Sequence, residues 1–468
     1  MASNSASDNL KKGIILVFLA NAINLVISLV NGFVLPKYLS VETYADIKTY
    51  QLYANYIAVL VLGYSDGLYL SYGGKRFTDL GHNAINTCRS NLLLFQGTVS
   101  AIMIGIACFL GNKILLVTAI SIIPVNIAAT YKSIFQATGE FKSYSKILNY
   151  TSILTFVGSM VLLFIFKSDN SLLYIIWTVA VTFIIWILME RKVIVEYKNP
   201  FGLQVDLKNL VENIKSGIVL MLGNFSSILM TSIDRWFVKA LLTVQDFAYY
   251  SFVVSVENLI AIFITPVVTT MYNYICTTTE MASIKKIKKI CLIFSVFLVS
   301  SAFPAKFILE VYLQKYLPSQ YVLFILFLTE IFYMLIKGIY VNIYKARKQQ
   351  NIYFLQLVAV IVVGAVLNGI AYLITHSNEG IAFATLATVI IWYVVCCLSV
   401  KEILPDWREN LLLIVVVPTF LVCGFKLPSI LGFVVYLLVS IIMSVALMRD
   451  TVVAVLDMAY GIVKKKIG

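Results

Sequence analysis

The sequence predicts an all-α integral membrane protein of about fourteen transmembrane helices: two pseudo-symmetric six-helix bundles followed by two further helices. Three observations carry this prediction. The first is composition. Of 468 residues, 60% are hydrophobic and only 13% charged, and mean hydropathy is +0.91; soluble domains carry about 25% charged residues. The second is recurrence, because apolar runs of about 20 residues, the length that crosses a hydrocarbon core, follow one another along the chain. The third is an internal repeat. At a constant offset of 203 residues, Asn21, Asn24, Ser28 and Asn31 fall on Asn224, Ser227, Thr231 and Asp234, and the turn LSVETYA from Leu39 falls on LTVQDFA from Leu242. Both polar sets step by three, four and three, so each is one stripe on an apolar helix.

In order, residues 1–12 form a short polar tail. The apolar run 13–35 is too long for a signal-peptide core and reads as the first span. Further spans are expected near 48–72, 91–111, 114–137, 144–166, 171–189, 216–240, 247–275, 289–312, 320–343, 352–375, 379–400, 410–425 and 428–448. This gives an N-terminal bundle over 1–190, a cytoplasmic linker over 191–215, a second bundle over 216–400, and two additional helices with a basic tail over 401–468. Twenty-six of the 36 lysines and arginines lie in alternate connections that include both termini, and eight in the others. Positive charge marks the cytoplasmic side, so both termini are expected there.

The net charge of +13 sits mainly between spans, which gives no reason to expect nucleic acid. Seven cysteines show no CxxC or Cys/His spacing, and His82 and His376 stand far apart, so neither a metal site nor a disulfide framework is expected. The Asn149 and Asn224 glycosylation patterns fall in or beside spans and are discounted. There is no Walker A stretch, GxSxG or HExxH. No enzyme and no cofactor are expected.

The informative residues are polar ones at membrane depth, where charge is costly and marks transport paths. In TEIFYMLIKGIYVNIYKARK, from Thr329, the spacing of Glu330, Tyr333, Lys337, Tyr340 and Tyr344 puts an acid, a cation and three phenols on one helical face. Direct Glu330–Lys337 pairing would have to span about 10 Å of rise. Arg235, beside Asp234 near the outer end of its span, fits either a cavity or a snorkelling position. Asp66 and Glu257 lie inside the second helix of each half. They read either as carboxylates that take up a coupling cation or as fixed structural polar sites.

Two segments carry a resemblance: SIDRWFVKALLTVQDFAYYSF in the seventh span, and YKARKQQNIY after the tenth, which echoes FQATGEFKSY after the fourth at an offset of 209. With two related halves of six spans, the chain resembles the multidrug/oligosaccharidyl-lipid/polysaccharide exporter superfamily. Within it, the chain is similar to the polysaccharide-type branch, the Wzx-like O-antigen and capsule repeat-unit flippases. The likeness covers nearly the full length, but its motifs are degenerate. Two helices beyond twelve are similar to that branch and to lipid II flippases, whereas drug exporters of the superfamily usually stop at twelve.

The resemblance implies alternating access in a bacterial inner membrane, carrying an oligosaccharide on undecaprenyl pyrophosphate from the cytoplasmic to the outer leaflet. It implies membrane lipids and the pathway's glycan polymerase and chain-length regulator as partners, and H+ or Na+ as the coupling ion. In that scheme Lys337, Arg235, Arg89 and Lys132 attract pyrophosphate, while Tyr333, Tyr340, Asn21, Asn24, Asn31 and Asn224 meet sugar. Glu330, Glu257, Asp66 and Asp234 are the ion-coupling candidates. A multidrug antiporter, a membrane-embedded glycan polymerase or ligase, and an uncoupled lipid scramblase are the alternatives. Short outer loops speak against the enzyme, and Lys337 speaks mildly against a pocket for cationic drugs.

Overall fold

The computed structural model describes residues 22–277 and 280–467, and these contain helices and connections without a β-strand. The chain divides into two compact units, Met1–Ile228 and Leu229–Gly468.

The first unit begins with α1 (Ala22–Tyr38), α2 (Val41–Ala54) and, after a 3-10 turn at Ile57–Val61, α3 (Tyr64–Tyr72). It continues with α4 (His82–Phe109), α5 (Lys113–Ala137), α6 (Phe141–Met160, extended by a π-turn at Val161–Ile165), α7 (Ser171–Val195) and α8 (Leu207–Met230). The second unit holds α9 (Ile233–Leu241), α10 (Val244–Thr277), α11 (Met281–Leu298), α12 (Ala302–Val311) and α13 (Gln320–Leu335). A π-turn at Ile336–Tyr340 joins α13 to α14 (Val341–Ala346). Then follow α15 (Gln350–Thr375), α16 (Asn378–Ser399), α17 (Trp407–Lys426) and α18 (Ser429–Ile467), the last kinked at Met448.

Eleven described helices are long and apolar enough to cross a membrane, and twelve if α10 is counted, whose two parts meet at 43° ahead of Pro266. The fourteen expected spans are therefore not all recovered as single spanning helices. The first is described only from Ala22. The second, expected at 48–72, is broken into α2, the 3-10 turn and α3, where Leu62 and Gly63 take φ of 51° and 83°. Glycine is required here for space as well. A Cβ on Gly63 would lie 2.7 Å from the Gly217 carbonyl carbon, and one on Gly67 2.0 Å from the Asn213 oxygen. Small residues thus let α3 and α8 touch backbone to backbone.

A break at membrane depth frees carbonyls that lipid cannot satisfy. Side-chain amides take them up. Gln96 on α4 donates to Leu60 O at 3.2 Å, and Asn126 on α5 donates to Ile57 O at 3.3 Å and to Gln96 Oε1 at 2.6 Å. In the second unit Asn342 on α14 donates to Val268 O at 2.8 Å, just past the bend of α10. The repeated turn also has a structural role, as the N-cap of the second helix. Ser40 accepts from Thr43 N, while Thr243 and Asp246 exchange backbone-to-side-chain bonds in a capping box.

The fourth span is the most buried of each unit's qualifying spans, but unequally: half of its most apolar window is buried in the first unit (50%) and nearly all in the second (89%). The second unit adds two helices, α17 and α18, that have no counterpart in the first. They pack on α12 and α13 through Phe303, Phe324, Phe420 and Tyr436, with ring centroids 5.0–5.7 Å apart. Gly424 lies flat against the Phe324 ring, where a Cβ would come within 2.3 Å. Lys288 binds Glu409 at 2.8 Å, Lys289 binds Asp406 at 2.6 Å, and Lys306 donates to Gly424 O and Leu427 O at the C-terminus of α17. The last is where a helix dipole favours a cation.

Candidate functional site

A cavity of about 200 Å³ lies within the second unit among α9, α10, α13, the π-turn and α16. Its chemistry comes from Asp234, Glu257, Thr329, Glu330, Tyr333 and Lys337. Asp234 stands in the first turn of α9, directly after the chain breaks at Thr231–Ser232, so its carboxylate is free to cap: Oδ1 accepts from Arg235 N and Oδ2 from the Tyr250 hydroxyl, both at 2.7 Å. Glu257 on α10 accepts from Thr329 Oγ1 at 3.2 Å. Glu330, buried on α13, is close enough for the two glutamates to feel each other's charge.

Lys337 sits in the π-turn with its Nζ 4.3 Å from the centre of the Tyr333 ring. It joins none of the ion pairs among the described residues. Three other deep cations are held by acceptors, Arg89 by Glu190, Lys288 by Glu409 and Lys306 by carbonyls. The cavity thus offers carboxylate, hydroxyl and amide oxygens beside one cation that lies over an aromatic face and feels the charge of Glu330. Oxygen donors suit a proton or a hard cation. An ammonium with free donors suits an anion. No group of three His, Cys, Asp or Glu side chains among the described residues is placed to chelate a metal.

The π-turn divides the five-residue stripe. Val341 N–H bonds to Ile336 O, five residues back, so one extra residue enters the turn and the face rotates. Glu330, Tyr333 and Lys337 line the cavity, whereas Tyr340 and Tyr344 do not. Tyr340 lies 3.1 Å from Cys397 Sγ and edge-on to Tyr393, and Tyr344 stacks with Tyr353.

The other candidates are dispersed. Arg235 is half-buried outside the cavity lining, and its Nε is buried without an acceptor. Arg89 is fully buried in the first unit, bound to Glu190 at 2.8 Å and to Asn86 at 2.6 Å. Glu190 also accepts from Tyr131 and Trp186. Lys132 is half-buried on α5 and, among the described residues, in no ion pair. Asp66 and Asn224 meet at the limit of a hydrogen bond, 3.5 Å. Asn24 and Asn31 hold buried carbonyl oxygens with no donor among the described residues, and Asn21 lies outside the described residues. Sequence reasoning passed over Thr329, Asn258, Tyr250 and Thr385. The doublets Glu257-Asn258 and Thr329-Glu330 were the available signal for the first two.

No protein-family model and no curated protein sequence matches this chain. Solved structures do. The lipid II flippase MurJ, in an inward closed conformation, superposes with a TM-score of 0.69 at 16% identity, covering 94% of this chain and 100% of that one. An inward-facing multidrug resistance MATE family transporter of the MOP superfamily gives 0.57 at 10% identity, over 83% of this chain and 98% of its own. At these identities the likeness is one of fold. The protein is multi-pass and all-helical, and it is built on the architecture these two transporters share.

Proposed function

We propose that the protein is a flippase that carries an undecaprenyl-pyrophosphate-linked oligosaccharide repeat unit across a bacterial inner membrane, cytoplasmic to outer leaflet, by alternating access. The observation that carries this reading is the cavity in the most buried span. An unpaired lysine stands beside three carboxylates, in a chain folded like a lipid II flippase. Lys337 takes an anionic oxygen of the pyrophosphate, and Glu257, Glu330 and Asp234 take up the coupling H+ or Na+. About 200 Å³ holds a phosphate or an ion but not a sugar chain, since pockets for drug-sized ligands run to about 300–1,000 Å³. The glycan therefore lies outside this cavity, and the polyprenyl chain stays in lipid. Glycan polymerase and chain-length regulator are the partners this role implies.

A second reading rests on one specific observation: carboxylates outnumber the lysine three to one in the cavity. That balance suits a cation antiporter, and a MATE transporter shares the fold. Complementation separates the two. In a flippase-null strain with its cognate glycan pathway intact, the wild-type chain should restore surface glycan, and Lys337→Ala and Glu330→Gln should lose it at matched expression. Absence of restoration, together with gradient-dependent efflux of cationic dyes, would replace the flippase with the antiporter.

A further inference from the structure

The connection between α7 and α8 is tethered rather than loose. Residues 199–206 run without helix, and backbone groups bind the side chains at the start of α4. Gln204 N donates to Ser90 Oγ at 2.7 Å. Asn91 treats Asp206 as a strand neighbour would, accepting from its N–H and donating to its carbonyl, both at 3.0 Å. Asp206 then caps α8 through Asn209 N at 2.9 Å. Arg89, locked by Glu190, lies 4.7 Å from the centre of the Phe201 ring.

The side chains of this strap follow a second pattern. Phe201, Leu203 and Val205 are alternate residues of this non-helical run, a spacing that an extended chain directs to one side, and with Leu207 at the start of α8 they are 55%, 72%, 53% and 59% exposed. Four large apolar groups in a row, held outward by a tethered backbone, form a surface built to meet something. Its surroundings say what. The strap begins four residues after the spanning helix α7 ends at Val195 and runs into the spanning helix α8, so chain length keeps it at the membrane boundary. Arg191, Lys198 and Lys208 flank it, while Lys192 is taken by Glu196 at 2.9 Å and the Asp206 carboxylate by the cap of α8. An apolar row among cations matches the boundary between acyl chains and anionic headgroups.

We propose that the strap 199–206 is an interfacial anchor: Phe201, Leu203 and Val205 insert into the bilayer surface, and the neighbouring cations bind anionic lipid. The proposal is independent of the substrate the protein carries. The test uses the full chain in nanodiscs of phosphatidylcholine, with or without phosphatidylglycerol, with nitroxide labels at Phe201→Cys, Leu203→Cys, Gln204→Cys and Val205→Cys and the native-cysteine signal subtracted. Collision with lipid-soluble oxygen should exceed collision with a water-soluble nickel reagent at 201, 203 and 205, and the order should reverse at 204. Lys198→Gln with Lys208→Gln should weaken that contrast only where phosphatidylglycerol is present. Labels at 201, 203 and 205 that are as open to the nickel reagent as 204 in both lipids would overturn the anchor. So would shielding that appears only when another membrane protein is added.

Discussion

The third span of each half carries a buried cation at its eighth residue, Arg89 in α4 and Lys288 in α11, and each binds a carboxylate at 2.8 Å. The partners differ. Arg89 takes Glu190 from α7, the sixth span of its own half, whereas Lys288 takes Glu409 from α17, a helix the first half lacks. The second pair therefore ties an appended helix to the bundle. The first also tethers the strap through Phe201. A charge that looks in sequence like a loop cation is, in both halves, a structural peg. Lys337 is the contrast, a deep cation with no carboxylate at ion-pair distance among the described residues.

The largest test of this comparison removes one carboxylate. Deleting one partner strands a buried charge, at a cost of about 3–5 kcal/mol. Glu190→Ala should cost more than Glu409→Ala, because it also strips an acceptor from Tyr131 and Trp186, while Lys288 keeps the Ile403 carbonyl at 2.8 Å. Thermal unfolding of the purified protein, followed by tryptophan fluorescence, reads the difference; equal losses would mean that these extra bonds contribute nothing. Arg89→Met combined with Glu190→Leu should recover the part of the loss that comes from the stranded charge, leaving the part that comes from Tyr131 and Trp186.

A smaller effect isolates the appended helices. Gly424→Ala drives a methyl into the Phe324 ring and should cost about 1–3 kcal/mol, with Phe324→Leu in the same chain restoring part of it. Lys337→Met should abolish transport while shifting stability by only about 0.5–2 kcal/mol, the scale of a cation–π contact. A stability loss as large as that of Glu190→Ala would make Lys337 a third peg.

The smallest effect concerns Asp406, outside the spans. Burial pushes its carboxyl upward, but Lys289 at 2.6 Å and the Glu409 amide hold it below the usual value. A carboxyl lowered on folding stabilises above its unfolded pKa, about 3.9, and loses that contribution as pH falls through the folded value. Asp406→Asn keeps the cap and should cost about 0.5 kcal/mol at neutral pH, since the pair is partly exposed. The gap from wild type should close below about pH 4. A pH-independent gap would place the effect in packing.

What was legible in the sequence was whatever a one-dimensional period records. Apolar runs gave the all-helical membrane class, and the spacing of Glu330, Tyr333 and Lys337 gave half of the cavity. The period failed where the backbone departs from an α-helix. The break at Leu62–Gly63 divides the second expected span, and the π-turn carries Tyr340 and Tyr344 away from the cavity. Arg89 and Lys288 fall just before the expected spans 91–111 and 289–312, where a charge census reads them as loop cations, because it has no term for a partner 101 or 121 residues away. Gln96 and Asn126 gave no signal, since nothing marks an amide as the acceptor's answer until the break it serves is known.

The π-turn at Ile336–Tyr340 also fixes where this span tolerates a change of length. Each residue turns an α-helix by about 100°, and the turn absorbs one extra residue. Deleting one residue within it would therefore restore ordinary winding and leave everything beyond facing as before, whereas deleting one residue from the α-helical part of the span would swing everything beyond by that angle. Asn342 would then leave Val268, and the bend of α10 would lose its amide cap. An alignment gap placed one turn away would assign the wrong residues to the cavity wall, even between sequences that are otherwise identical. Here the spacing of the residues constrains the protein as tightly as their chemistry does.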